Sequence, residues 1–89
     1  MGYNAGTMNI KNEKFPRIKE LREDNDLKQR QLAEMLNIGQ PTYNHYEKGN
    51  REIPIDCLIK LAKFYKTSVD YLVGLTDAFE PYPRRSQKK

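Results

Sequence analysis

The chain has 89 residues, a formal net charge of +4 and a single cysteine, Cys57. That length suits one small domain with short tails, whose core must be compact and largely helical to be stable. An internal disulfide is excluded, no apolar run approaches the roughly 18 residues that cross a membrane, and the first residues lack the apolar centre of a secretory signal. A cytoplasmic protein with no membrane contact is therefore expected.

Residues 1–14 are polar, hold two glycines and show no period, which predicts a flexible leader. Met8 within it suits either a start site or an internal position. Order is expected from Phe15-Pro16, because proline is tolerated in the first turn of a helix, where its missing N–H costs nothing. Ile18 and Leu21 continue an apolar face, so a first helix is predicted over roughly 16–25, ended by Asn25-Asp26. Leu27 is expected as a buried plug before a second helix over roughly 29–36, with Leu32, Ala33 and Leu36 inward. The small Ala33 lets the following helix approach closely. Asn37 suits a left-handed C′ position, and Ile38 should fold back onto the core.

A third helix is predicted from Gly39 to about Glu47, with Pro41 in its first turn, Tyr43 and Tyr46 inward and Gly49 as its stop. A fourth follows Pro54, with Ile55, Leu58, Leu61, Ala62 and Tyr65 as its apolar stripe and Asp56 complementing the dipole of its first turn. Ser68 should cap a last short helix over about 69–73, with Val69 and Leu72 inward and Gly74 as its stop. The expectation is an all-α domain of five short helices over 15–76, followed by an extended, proline-interrupted basic tail over 77–89. Residues 1–79 hold twelve Lys and Arg against eleven Asp and Glu, whereas residues 80–89 hold four against one. The body is thus close to neutral, and where its charges sit matters more than their sum.

The stretch from Gln29 to Glu47 carries the functional signal. It reads as two short helices joined by a tight turn, the second with a polar, amide-rich outer face. That is the layout of a helix-turn-helix, whose second helix enters the DNA major groove. An outward glutamine or asparagine, such as Gln40 or Asn44, can donate to and accept from one adenine edge at once.

Residues 18–75 resemble the phage-repressor/Cro-type helix-turn-helix domain. The likeness is carried by Leu21-Arg22, Leu27, Gln29, Leu32-Ala33, Tyr46-Glu47-Lys48-Gly49, Pro54, Leu61-Ala62 and Ser68-Val69-Asp70-Tyr71-Leu72. No single match is specific, but the ordered set at these spacings is. The resemblance implies that Gln40 reads adenine, and that Gln29 buttresses it while touching phosphate. It implies that Pro41, Thr42 and His45 face the groove, and that Lys28, Lys48 and Arg51 lie near the DNA backbone. It also implies an Arg22–Glu47 ion pair tying the first helix to the third. The sequence departs from the family at Lys28, where a side chain able to accept a hydrogen bond usually caps the helix. It departs again at Pro41, which offers only apolar contact, as to a thymine methyl.

The expected function is that of a transcriptional regulator, a repressor, bound to double-stranded DNA as a homodimer on an inverted repeat. Self-contact is expected through Tyr71, Leu72, Val73, Leu75 and Phe79. An antitoxin that binds DNA and a protein toxin is one rival, and a protein-interaction module on the same fold without DNA binding is another. Catalysis is not expected, because the chain lacks a nucleophile set, a phosphate loop and paired carboxylates in an apolar setting. No metal or other cofactor is expected either, since His45 is the only histidine and Cys57 falls on another helix.

Overall fold

A computed structural model of the chain describes residues 14–81. Five helices follow one another: α1 (Pro16–Asp24), α2 (Gln29–Leu36), α3 (Gln40–Lys48), α4 (Ile55–Tyr65) and α5 (Val69–Leu72). Among the described residues there is no strand, and no helix is long and apolar enough to cross a membrane.

Each helix begins and ends for a local reason. Pro16 and Pro41 occupy the first turns of α1 and α3. α2 has no side-chain cap from Lys28, whose ammonium can only donate; Gln31 supplies half of a capping box instead, its Oε1 accepting the Lys28 backbone N–H at 2.7 Å. Asn37 closes α2 in the left-handed region at φ 61°, and the Ile38 N–H returns to the Ala33 carbonyl at 2.9 Å. Gly49, at φ 80°, closes α3 in the same way. Ser68 caps α5, its Oγ accepting the Tyr71 N–H at 3.0 Å.

The inner faces meet in one core: Ile18 from α1; Leu32, Ala33 and Leu36 from α2; Tyr43 from α3; Cys57, Leu58, Leu61, Ala62 and Tyr65 from α4; and Leu72 from α5. α2 packs on α3 and α4, α1 on α3 and α5, and α5 on α4. Leu27, Ile38 and Tyr46 are half-buried against this core rather than sealed within it.

Two expectations are corrected. Ile55 is 62% exposed and lies outside the α4 stripe, and Cys57 takes an inner place beside Leu58. Three residues span 300° of helix, so Ile55 is rotated about 60° from Leu58, toward solvent. Leu72 is 1% exposed and belongs to the core, so it has no surface left for self-contact.

The segment after α5 is irregular but held to the body. The Arg17 guanidinium lies 4.1 Å from the centre of the Tyr71 ring and donates to the Tyr71 carbonyl at 2.8 Å. It also donates to the Thr76 carbonyl and to Asp77. Phe79 meets Tyr71 edge-to-face, and its carbonyl accepts from the Thr67 hydroxyl.

The hydroxyls of Tyr43 and Tyr65 are buried without a hydrogen-bond partner among the described residues. Burial, reinforced for Tyr43 by the adjoining Glu47 carboxylate and for both by its charge, pushes Tyr43 far above its ordinary value and Tyr65 up to about 12. Folding therefore holds both neutral. Their stabilisation is complete below about pH 10, the unfolded value, and is lost as pH rises through the folded values. Tyr65→Phe removes an unpaired buried hydroxyl, so it is expected to leave stability at neutral pH unchanged or raise it by about 1 kcal/mol. The same variant should unfold at higher pH than the parent in an alkaline titration followed by circular dichroism.

Candidate functional site

α2, the connection 37–39 and α3 form one continuous unit on the surface, and its inner side is organised by Glu47. This carboxylate is 3% exposed, on the last turn of α3. Arg22 reaches it from α1 with two prongs, Nε to Oε2 at 2.7 Å and Nη2 to Oε1 at 3.1 Å. The third arm of the guanidinium donates to the Leu27 carbonyl at 3.0 Å, so the same side chain fixes the link between α1 and α2. Burial pushes the Glu47 carboxyl up, but donation from Arg22, the neighbouring Tyr43 hydroxyl, donation from Gln29 and the charge of Arg22 outweigh it and hold the carboxyl below the usual carboxylate range. The hydrogen bond to Glu47 raises Arg22 in turn.

Gln29 opens α2 and faces α3. Its Nε2 donates to Glu47 Oε1 at 3.1 Å and to Asn44 Oδ1 at 3.0 Å. The resemblance implied that Gln29 supports Gln40; in the structure its amine engages Glu47 and Asn44. Glu47 draws the Gln29 amine one turn further along α3, where Asn44, three residues before Glu47, lies beside it. Both hydrogens of that amine are thereby used. The Gln29 side chain retains only an acceptor oxygen, which is a poor partner for phosphate.

The outer side of α3 is polar and open. With Tyr43 and Glu47 turned inward, Pro41, His45 and Lys48 lie furthest from the core, and all three are exposed. Gln40, in the first turn of α3, is exposed as well, and no hydrogen bond engages its side chain among the described residues. Thr42 and Asn44 are half-buried on the two flanks. His45 Nδ1 lies 3.3 Å from Asn50 Nδ2 in the loop after α3. Lys28 at the start of α2, Lys48 at the end of α3 and Arg51 in the following loop are exposed and make no ion pair among the described residues. One helix thus presents amide, imidazole and apolar groups between cations at its margins, a surface suited to a polyanion with readable edges.

Sequence reasoning found these residues individually but not the Gln29–Asn44 bond or the His45–Asn50 contact. The first depends on how closely two helices approach, and no spacing along the chain encodes that. Among the described residues no group of three or more His, Cys, Asp or Glu side chains is placed to hold a metal ion.

Known proteins share this arrangement. The helix-turn-helix family pattern matches residues 18–72. The uncharacterized HTH-type transcriptional regulator YobD of Bacillus subtilis is 40% identical over 73 residues, covering 82% of this chain and 65% of that protein. The HTH-type transcriptional regulator ImmR of the same organism is 41% identical over 58 residues, covering 65% of this chain and 46% of that protein. The cryptic phage CTXphi transcriptional repressor RstR of Vibrio cholerae is 39% identical over 58 residues, 65% of this chain and 52% of that protein. The chain therefore spans between about half and two thirds of the length of these relatives. The crystal structure of a transcriptional regulator from Listeria innocua superposes with a TM-score of 0.64 at 30% identity, over 84% of this chain and 64% of that one. These relatives are named as transcriptional regulators, a non-enzymatic class.

Proposed function

The chain belongs to the helix-turn-helix family, and on that premise we propose that it is a DNA-binding transcriptional regulator, a repressor, that lays α3 in the major groove. The observation that carries this reading is the open polar face of α3, with Gln40, Pro41 and His45 exposed and Lys28, Lys48 and Arg51 at its margins. Gln40 reads adenine through its amide, and Pro41 offers apolar contact to a thymine methyl. Thr42, Asn44 and His45 complete the base-facing set. Lys28, Lys48 and Arg51 meet phosphates, and the Gln29 backbone N–H at the start of α2 is free to do the same. Arg22 and Glu47 hold α3 at the required angle without touching DNA. The relatives support a repressor role, since RstR is named as one.

A single α3 supplies few base contacts, so the regulator acts as a homodimer. Two copies would read half-sites about 34–36 Å apart in an inverted repeat. With Leu72 buried, the apolar surface for self-contact after α5 comes from Val73, Leu75 and Phe79, of which Leu75 is 76% exposed. Tyr71 is half-buried between Arg17 and Phe79.

The test is a salt titration on a selected duplex. The binding constant should fall steeply as salt rises, and Lys48→Ala should lower the slope of log K against log salt by about one unit. A salt-independent association with no duplex preference would replace this reading with a protein-interaction module.

A further inference from the structure

The amide orientations around Glu47 follow from what each neighbour can donate or accept. The Glu47 carboxylate is held through both oxygens by Arg22 and can only accept. The Gln29 atom 3.1 Å from it is therefore the amine nitrogen. The same amine lies 3.0 Å from Asn44, so the Asn44 atom there must accept and is the oxygen Oδ1. Turning Asn44 over would set two amines against each other, and turning Gln29 over would set its oxygen against a carboxylate. Only one arrangement satisfies the set. It leaves the Asn44 amine, Nδ2, on the opposite prong of its amide, away from Gln29 and without a partner among the described residues. Asn44 lies one turn from Gln40 and one turn from Lys48, on the flank of the outer face of α3.

Given α3 in the major groove, as proposed above, we infer that Asn44 is a donor-only reader that selects a keto base, guanine through O6 or thymine through O4. An asparagine recognises adenine by accepting from N6 while donating to N7. The accepting oxygen is turned toward Gln29, so the amine leads toward the base: adenine then offers it N7 alone, beside an N6 amine that repels a second donor, whereas guanine offers N7 and O6 together and thymine offers O4. The cytosine N4 amine fails for the same reason. Gln29 is thus a positioning residue: it touches no base, yet it decides which half of the Asn44 amide meets the DNA.

The test is selection from a random duplex pool with the full native chain and three variants, each checked for folding by its thermal melt. Asn44→Ala should flatten one position of the native motif, and that position should be guanine or thymine, favoured about tenfold over cytosine. Asn44→Asp keeps an oxygen for Gln29 and turns a second oxygen outward, so the same position should change to cytosine. Gln29→Met frees the amide to turn, so adenine should rise there to within about threefold of the keto bases, with the rest of the motif unchanged. Should Gln29→Met not fold, Asn44→Asp alone decides. An adenine at the Asn44-dependent position, or an Asn44→Asp motif identical to the native one, overturns the donor-only assignment and leaves DNA reading intact. A uniform loss of affinity in Asn44→Ala with no change of motif also overturns it, because that is the behaviour of a phosphate contact. If the native chain enriches no sequence at all, DNA reading and this assignment fall together.

Discussion

Arg22→Ala is expected to lower the unfolding free energy by about 3–5 kcal/mol, a large share of the total stability of a domain of this size. The loss exceeds that of an ordinary ion pair because Glu47 stays behind. Its side chain is 2% exposed, that of Arg22 14%, so the carboxylate cannot regain water when its partner leaves. Gln29 alone cannot replace two charged hydrogen bonds. The change also has a pH signature. In the native chain the folded Glu47 carboxyl titrates below its unfolded value. Its stabilisation is therefore present above about pH 4.3, the unfolded value, and is lost as pH falls through the folded value. Without Arg22 only burial, Tyr43 and Gln29 remain, and burial favours the protonated acid. The variant should thus recover part of its deficit as pH falls toward 4, and the gap between native and variant melting temperatures should narrow. A constant gap between pH 4 and 7 would mean that the pair is not the source of the loss.

Leu32→Ala is expected to cost about 2–5 kcal/mol. Leu32 is 1% exposed on the inner face of α2, where α2 meets α3 and α4. Truncation there removes transfer energy and leaves a cavity under the helix that carries the outer polar face. Ile55→Ala is the matched control. It deletes a similar side chain from a site 62% exposed, and it should change stability by no more than about 0.5 kcal/mol. Urea denaturation of the two variants separates them directly. Comparable losses would show that Ile55 belongs to the core after all.

Helix boundaries were legible because strong local chemistry marks them. Pro16 and Pro41 start helices, while Asn37, Gly49 and Gly74 take the left-handed backbone that ends them. Ile18, Leu32, Ala33 and Leu36 were legible for the same reason, since two adjacent turns with one apolar side leave little choice of face. Ile55 was not. At a helix start the apolar stripe has only one neighbour to fix its angle, and the weakly apolar Cys57 competes for the inner position. By spacing Leu72 suits both the core and a self-contact surface, and only packing against α1 and α4 decides between them. The cap of α2 was half legible. Lys28 announces that its side chain is unsuitable, and Gln31 three residues on is the group that can compensate.

The functional side divides in the same way. Pro41, His45 and Lys48 follow from helical spacing once Tyr43 is placed inward, and spacing is local; Gln40, only about 60° round from Tyr43, is exposed because it opens the helix. The partner of Gln29 is not local. It depends on the height at which α2 meets α3 and on a buried carboxylate at the far end of α3. The same remoteness hid the use of both Gln29 hydrogens, and with it the orientation of Asn44.

The central claim is that the outer face of α3 reads base edges, and sequence selection from a random duplex pool with the native chain and Gln40→Ala tests it most directly. The native chain should enrich an inverted repeat, and Gln40→Ala should lose preference at one A·T position in each half-site while retaining the others. Enrichment of no sequence by the native chain, or an identical motif from the two proteins, would contradict it.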